Sequence, residues 1–371
     1  MKILFVNLPY HGHVIPTIGL VRELVRVGHQ VTYLLPHDWK EKIAGNGADF
    51  LGYDNSPKLD KQIRNAFFKA EEVIGDHDLV VYEQFFFVGK HLAEKHGKKC
   101  VRIFTAPATN HVLMKAFLSS GGPMGIFRLP LIGPLGTTDA VKGLGIELKY
   151  RNWLDEIVEN PPACNLVYTL RQFQPFQADF PEETFHFIGP SVYDRGEDFP
   201  VLPKPVVYIS IGTILKGAEK FFRACVEAFR DDAVTVVISV GKSFDIAKLG
   251  DLPKHFIVRQ TVPQVAVLQQ AALFITHGGM NSVSEAMAAG IPMVVIPFVS
   301  DQPVNAAQVQ RLGLGRVLDY KAITPEILRD TAFAVMDDMQ IKKNMQAVQA
   351  EISRAPGNAG AVKMIEKYVI S

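Results

Sequence analysis

Thr276-His277-Gly278-Gly279-Met280-Asn281-Ser282-Val283-Ser284-Glu285 and, one strand further on, Ser300-Asp301-Gln302-Pro303 are the residues on which the reading of this chain turns. Leu273 to Thr276 is an apolar run of strand type, Gly278-Gly279 is a turn, and a helix is expected from near Asn281. The glycines let the backbone come close to a ligand, and a helix N-terminus offers unpaired N–H groups with a partial positive charge. Asn281, Ser282 and His277 add side-chain hydrogen bonds, so the segment suits phosphate oxygens. A plain structural role competes: a double-glycine turn, an Asn or Ser N-cap and a Ser282-x-x-Glu285 capping box account for half of it. They leave His277 and the pair Asp301-Gln302 unexplained.

Outward from this segment, apolar β-branched runs alternate with helical patterns. The expected strands of the first half are Ile3–Leu8, Gln30–Leu35, Leu79–Glu83, Val101–Thr105, Leu166–Leu170 and His186–Ile188. Those of the second half are Val206–Ile211, Val234–Val240, Phe256–Arg259, Leu273–Thr276, Met293–Pro297 and Arg316–Leu318. Continuous apolar strands separated by helices imply parallel sheets covered on both faces. The series breaks at Gly189 to Pro205, where prolines sit among charged residues without periodicity. The expectation is two Rossmann-like domains, residues 1–195 and 196–355. A first helix is marked by Pro16 at its start, the stripe Ile18, Val21, Leu24 and Val25, and Gly28 as its stop. Ala106 to Gly145, rich in Gly and Pro with Met114 and Phe117 interleaved, reads as loop and short helix around a variable pocket.

Composition agrees with an enzyme of this size. A chain of 371 residues with 48% hydrophobic residues can bury two cores. A net charge of +1 points to no nucleic-acid partner. The three cysteines, Cys100, Cys164 and Cys225, have no metal-ligand spacing and suggest a reducing, cytoplasmic setting. The apolar run after Met1-Lys2 is too short for a signal peptide and reads as a buried first strand. No run approaches the ~18 apolar residues of a membrane span, so no integral membrane association is expected. Nothing in the sequence speaks to oligomeric state.

His-Gly-Gly-x-Asn-Ser-x-x-Glu, followed by a strand ending Ile-Pro-x-x-x-Asp-Gln-Pro, resembles the donor-sugar motif of the UDP-glycosyltransferase superfamily. Among its members the bacterial macrolide and flavonoid enzymes are similar in pattern. The resemblance runs the length of the chain and is most specific in the second half. It implies an α/β fold of GT-B architecture, two Rossmann-like domains with parallel sheets and an interdomain cleft. It also implies that the last helix, within 356–371, returns to the first domain.

Residue by residue, the resemblance carries further. Tyr10-His11-Gly12-His13-Val14-Ile15-Pro16 follows the first strand, where open α/β sheets bind ligands. A sugar transferase must take a proton from the acceptor hydroxyl, and histidine does this near neutrality. His13-x-x-Pro16 resembles the family's catalytic histidine; His11 competes for the role and is expected to line the acceptor pocket. The family orients that base with an aspartate at a later strand end, where this chain has Glu83, one methylene longer. Ser210-Ile211-Gly212-Thr213 resembles the turn facing the diphosphate. Thr261-Val262-Pro263-Gln264 resembles the family's Trp-Val-Pro-Gln, with no ring at Thr261 to stack on the base.

The resemblance therefore implies donor contacts from Gly212, Thr213, Val262, Gln264, His277, Gly279, Asn281, Ser282, Glu285, Asp301 and Gln302. Of these, Glu285 would hold the ribose, although the capping box claims the same carboxylate, and Asp301-Gln302 would hold the sugar. Phe85, Phe86, Met114 and Phe117 join His11 around a small, largely apolar acceptor.

The implied reaction is inverting transfer of a hexose, with glucose expected, from a UDP-sugar to a hydroxyl. No cofactor is expected, since the nucleotide sugar is a co-substrate. No metal is expected either: Asp76-His77-Asp78 matches a metal motif of another glycosyltransferase fold but precedes a strand here. The rivals are a catalytically idle nucleotide-sugar-binding protein, a GT-B-fold epimerase, and a nicotinamide-dependent oxidoreductase. The last is disfavoured because no Gly-x-Gly-x-x-Gly follows the first strand.

Overall fold

The apolar runs become the inner strands of two parallel sheets in the computed structural model of the chain. It describes residues 1–119, 134–192, 196–212 and 219–371, without the side chains of 116–119 and 134–136. The chain forms two compact units, one of Met1–Tyr193 with Ala355–Ser371, the other of Asp194–Arg354.

The first unit holds β1 (Lys2–Val6), β2 (Gln30–Pro36), β3 (Asp49–Tyr53), β4 (Leu79–Glu83), β5 (Lys99–Phe104), β6 (Cys164–Val167) and β7 (Phe185–Phe187). Their order is β3-β2-β1-β4-β5-β6-β7, and every pairing is parallel. Side chains alternate across the sheet, so Ile3, Phe5, Val31 and Tyr33 enter one core and Leu4, Val6, Leu34 and Val80 the other. The C-terminal helix Gly357–Ile370 belongs to the first core through Ala361, Val362 and Ile365. β3 is the strand that the sequence pattern does not reveal. Asp49-Phe50-Leu51-Gly52-Tyr53 opens on an acid and contains a glycine, and its place at the sheet edge leaves it half-buried.

The second unit holds β8 (Val206–Ser210), β9 (Thr235–Ser239), β10 (Phe256–Arg259), β11 (Leu273–Thr276), β12 (Met293–Val295) and β13 (Gly315–Val317), in the order β10-β9-β8-β11-β12-β13. All its pairings are parallel. In each sheet the strand order reverses once, between β1 and β4 and between β8 and β11. Ligands of open α/β sheets bind beyond the carboxyl ends of strands at such a reversal. Val6 pairs with Tyr82 at the first, and Ser210 with Thr276 at the second. The residues just past these pairs are the ones to inspect.

Candidate active site

Past β1 the chain makes a helical turn, His11–Val14, and a 3-10 turn, Ile15–Thr17, before the helix Ile18–Arg26. Pro16, with no N–H to offer, sits where the winding changes. Glu83, the last residue of β4, is fully buried. Its Oε1 lies 2.8 Å from His13 Nδ1, and its Oε2 accepts the Phe85 main-chain N–H at 3.0 Å. The extra methylene of glutamate therefore still reaches the ring. An ionised carboxylate only accepts, so Nδ1 carries the proton of this bond and the lone pair of the neutral ring is on Nε2. Thr105, just past β5, sets its hydroxyl 3.1 Å from the same Nδ1. Glu83 has no solvent to stabilise its charge, whereas the His13 side chain is 21% exposed. One face of the pair is thus sealed in protein and the other is accessible.

Aromatic rings surround His13. Phe85 lies 4.6 Å from it and Tyr10 5.9 Å, centroid to centroid, and Trp153 is 6.1 Å beyond Phe85. Phe86 corrects an expectation. It has no exposed surface and belongs to one core cluster with Tyr82, Leu92 and its neighbour Phe87, while Phe85 packs partly buried against that cluster. His11 is exposed, with its ring 4.7 Å from Trp39. Met114 is buried on the helix His111–Ser119. The Phe117 side chain and Thr213 lie outside the described residues. Thr105 and Trp153 carry no local sequence signal, since only the tertiary fold brings them near His13, whereas Tyr10 belongs to the same turn as His13, whose N–H donates to the Tyr10 carbonyl.

In the second unit the helix Met280–Ala289 starts one residue earlier than expected, with Gly279 as its N-cap and no side-chain cap. The capping box is not formed. Instead Gln264 Nε2 donates to Glu285 Oε2 at 2.6 Å and to Ser282 Oγ at 3.3 Å, while Tyr208 donates to Gln264 Oε1 at 3.0 Å. Gln264, Ser282 and Glu285 are therefore brought together, beside the helix start that carries Asn281. The glycines have a further reason. A Cβ on Gly279 would lie 2.6 Å from His277 Nε2, and one on Gly212 would lie 2.8 Å from it. Gly278 has φ +83°, and its Cβ would meet Val295 Cγ1 at 2.6 Å. The turn is glycine-rich first of all to admit the His277 ring.

Burial holds the His277 imidazole below the ordinary histidine pKa, against the opposing pull of the Asp301 carboxylate and the Ser210 main chain. The ring is neutral at pH 7, and among the described residues its Nδ1 has no hydrogen-bond partner. A buried nitrogen without a partner next to a helix N-terminus is suited to a ligand.

Asp301 and Gln302 are more engaged with protein than the sequence suggests. Asp301 Oδ2 accepts from the Met280 N–H at 3.3 Å and from Asn305 Nδ2 at 2.8 Å. Asn305, fully buried, also donates to the Gly278 carbonyl at 2.9 Å. Asp301 thus ties the start of the helix Gln302–Arg311 to the glycine turn. Gln302 is buried, and its Oε1 accepts from the N–H groups of Phe298 and Val299 at 2.8 and 3.1 Å. It shapes the loop around Ser300, which has φ +67°. Val262 is half-buried and Thr261 is exposed. Asp78 Oδ2 accepts from the Lys2 N–H, and among the described residues no cluster of His, Cys, Asp or Glu is arranged to hold a metal ion.

The profile of the UDP-glucoronosyl and UDP-glucosyl transferase family matches residues 200–352. The chain is 32% identical to the NDP-glycosyltransferase YjiC of Bacillus subtilis, over 98% of this chain and 96% of that protein. It belongs to the UDP-glycosyltransferase superfamily. The oleandomycin glycosyltransferase of Streptomyces antibioticus is 30% identical over 97% of this chain and 89% of its own length. The crystal structure of the calicheamicin glycosyltransferase CalG4 superposes with a TM-score of 0.80 at 30% identity, covering 99% of this chain and 98% of that one. The two parallel Rossmann-like units are those of a GT-B glycosyltransferase. This glycosyltransferase uses a nucleotide sugar and passes the sugar to an acceptor. No helix among the described residues is long and apolar enough to cross a membrane.

Proposed function

We propose that this glycosyltransferase moves glucose from UDP-glucose to a hydroxyl of a small, largely apolar acceptor, with inversion at the anomeric carbon. The observation that carries the reading is the 2.8 Å contact between the His13 ring and a fully buried Glu83. His13 Nε2 takes the acceptor's proton as the oxygen forms its bond to the anomeric carbon. The bond from that carbon to the diphosphate oxygen breaks, and UDP leaves with the electron pair. Glu83 keeps the ring oriented and balances the charge that forms on it. Direct displacement turns an α-linked donor into a β-glycoside.

The leaving diphosphate is met by the N–H groups at the start of the helix Met280–Ala289, by Asn281 and Ser282, and by the neutral His277 ring. Glu285, already fixed by Gln264, accepts from the ribose hydroxyls. Asp301 has one oxygen given to the protein, which leaves Oδ1 for the sugar. Tyr10 and Phe85 offer the acceptor an apolar surface beside His13. Because these groups supply the positive potential, a divalent cation is not required.

The test is incubation with UDP-glucose and a panel of hydroxylated apolar acceptors, with products read by mass spectrometry and their anomeric configuration by NMR coupling. A β-glycoside formed equally well with and without EDTA supports the reading. An α-glycoside, or activity lost to EDTA and restored by Mg²⁺, defeats it.

A further inference from the structure

His13 is held at its ring by Glu83 and Thr105, and its main chain is held by a third buried side chain. Asn7, the residue after β1, is fully buried, a polar side chain at the end of an apolar strand. Its Nδ2 donates to the His13 carbonyl at 3.0 Å and to the Tyr33 hydroxyl at 3.3 Å, and its Oδ1 accepts the Leu8 N–H at 2.8 Å. The amide cannot be flipped, because that would set Oδ1 against a carbonyl and Nδ2 against an N–H.

The proton directions beyond Asn7 are also determined. The Thr17 hydroxyl donates to the Val14 carbonyl at 2.7 Å, so in its 2.7 Å contact with Tyr33 it is the acceptor. Burial pushes the Tyr33 phenol far above its usual range, so it remains a hydroxyl able to donate. Tyr33 and Thr17 are buried with Asn7. The result is a one-way relay from Asn7 through Tyr33 to Thr17, fixing the carbonyls of two successive residues, His13 and Val14. Buried polar groups of this kind are tolerated only when satisfied, and a satisfied network is rigid.

We infer that Asn7 is a positioning residue for the reaction: through the His13 carbonyl it fixes the height and tilt of the turn, so that the ring meets Glu83 on one side and the acceptor hydroxyl on the other. The inference rests on the reading of His13 as the base. Asn7 touches no substrate, and its effect is exerted through the placement of His13 alone. A displacement of about 1 Å in a reacting group costs on the order of 10²-fold in rate.

The experiment compares Asn7→Ala, Tyr33→Phe and His13→Ala in the full chain, with UDP-glucose and the best acceptor from the panel. Asn7→Ala is expected to lower kcat by about 10²-fold with the KM for UDP-glucose unchanged. Asn7→Asp, which keeps the volume but loses both donors, repeats the measurement should Asn7→Ala fail to fold. Tyr33→Phe breaks the relay but keeps the bond to the His13 carbonyl, so it should lose thermal stability while kcat stays within about threefold. NMR of the His13 ring, identified by its loss in His13→Ala, needs no acceptor: the Nδ1–H resonance should shift or broaden in the Asn7 variants and stay in Tyr33→Phe. Equal losses of kcat in the Asn7 and Tyr33 variants, or a normal kcat with an unmoved Nδ1–H in the Asn7 variants, overturn the inference. A fully active His13→Ala overturns the underlying reading of the base instead.

Discussion

The two sheets carry a histidine at the same kind of place and give it opposite surroundings. Around the reversal between β1 and β4, His13 follows one strand and Glu83 ends the other, 2.8 Å apart. Around the reversal between β8 and β11, His277 follows one strand and the other leads to Gly212, which has no side chain to offer it. His13 keeps one face open and has a carboxylate to balance a proton. His277 is closed in between glycines, and burial keeps it neutral. The first arrangement suits a group that gains and loses a proton, the second a group that acts as a fixed dipole. What a histidine does here is set by the residue on the neighbouring strand.

The sharpest way to break the comparison is to remove the base. His13→Ala should lower turnover by roughly 10²–10⁴-fold, with UDP affinity by calorimetry unchanged. Glu83→Gln, which keeps the size but not the charge, should cost roughly 10²–10⁴-fold in kcat. Turnover near normal in either variant would place His13 on the same footing as His277, a dipole only.

In the second unit the corresponding probe is Gly279→Ala. Its Cβ would come 2.6 Å from His277 Nε2, so the ring must shift away from the helix N-terminus. Losing one hydrogen bond to a charged ligand costs about 1.5–3 kcal/mol, or roughly 10–100-fold. UDP should bind weaker by that factor. Unchanged UDP affinity would mean that the diphosphate makes no use of His277.

Much of this was legible in sequence because strand-then-turn patterns are local. All six expected strands of the second half are present. The edge strand β3 was not legible, since Gly52 and Asp49 interrupt its pattern and only its partner β2 fixes it. The distance from Glu83 to His13 was open as well, because it depends on how two strands pack and not on either one. Asn7, Thr105 and Asn305 were invisible for the same reason: each acts through a contact distant in sequence or made by a carbonyl. The burial of Phe86 was not legible either, because a run of three phenylalanines after a strand does not say which rings pack inward.

A gentler probe of the donor unit is Thr261→Trp. Thr261 is exposed just past β10, where the family pattern carries an aromatic ring. Stacking of a base on such a ring is worth about 1–3 kcal/mol, so UDP should bind about tenfold tighter or more, and the preference over a thymidine-linked donor should change. Calorimetry on both nucleotides reads it. No gain would mean that the loop at Thr261 does not run beneath the base.

The smallest effect tests the second half of the comparison by pH. Because burial lowers the His277 pKa, its ordinary value of about 6.5 belongs to the unfolded chain and a lower one to the folded protein. Above that window neither state holds the proton, and His277 contributes nothing to the pH dependence. As pH falls through about 6.5 the unfolded chain takes up a proton that the folded protein refuses, so stability falls with pH. His277→Gln cannot titrate and escapes that part of the loss. In thermal melts at pH 7, 6 and 5 the parent should therefore lose more stability than His277→Gln as the pH drops, whichever is the more stable at pH 7. Parallel curves would mean that His277 titrates alike in both states, and its role as a permanently neutral dipole would not stand.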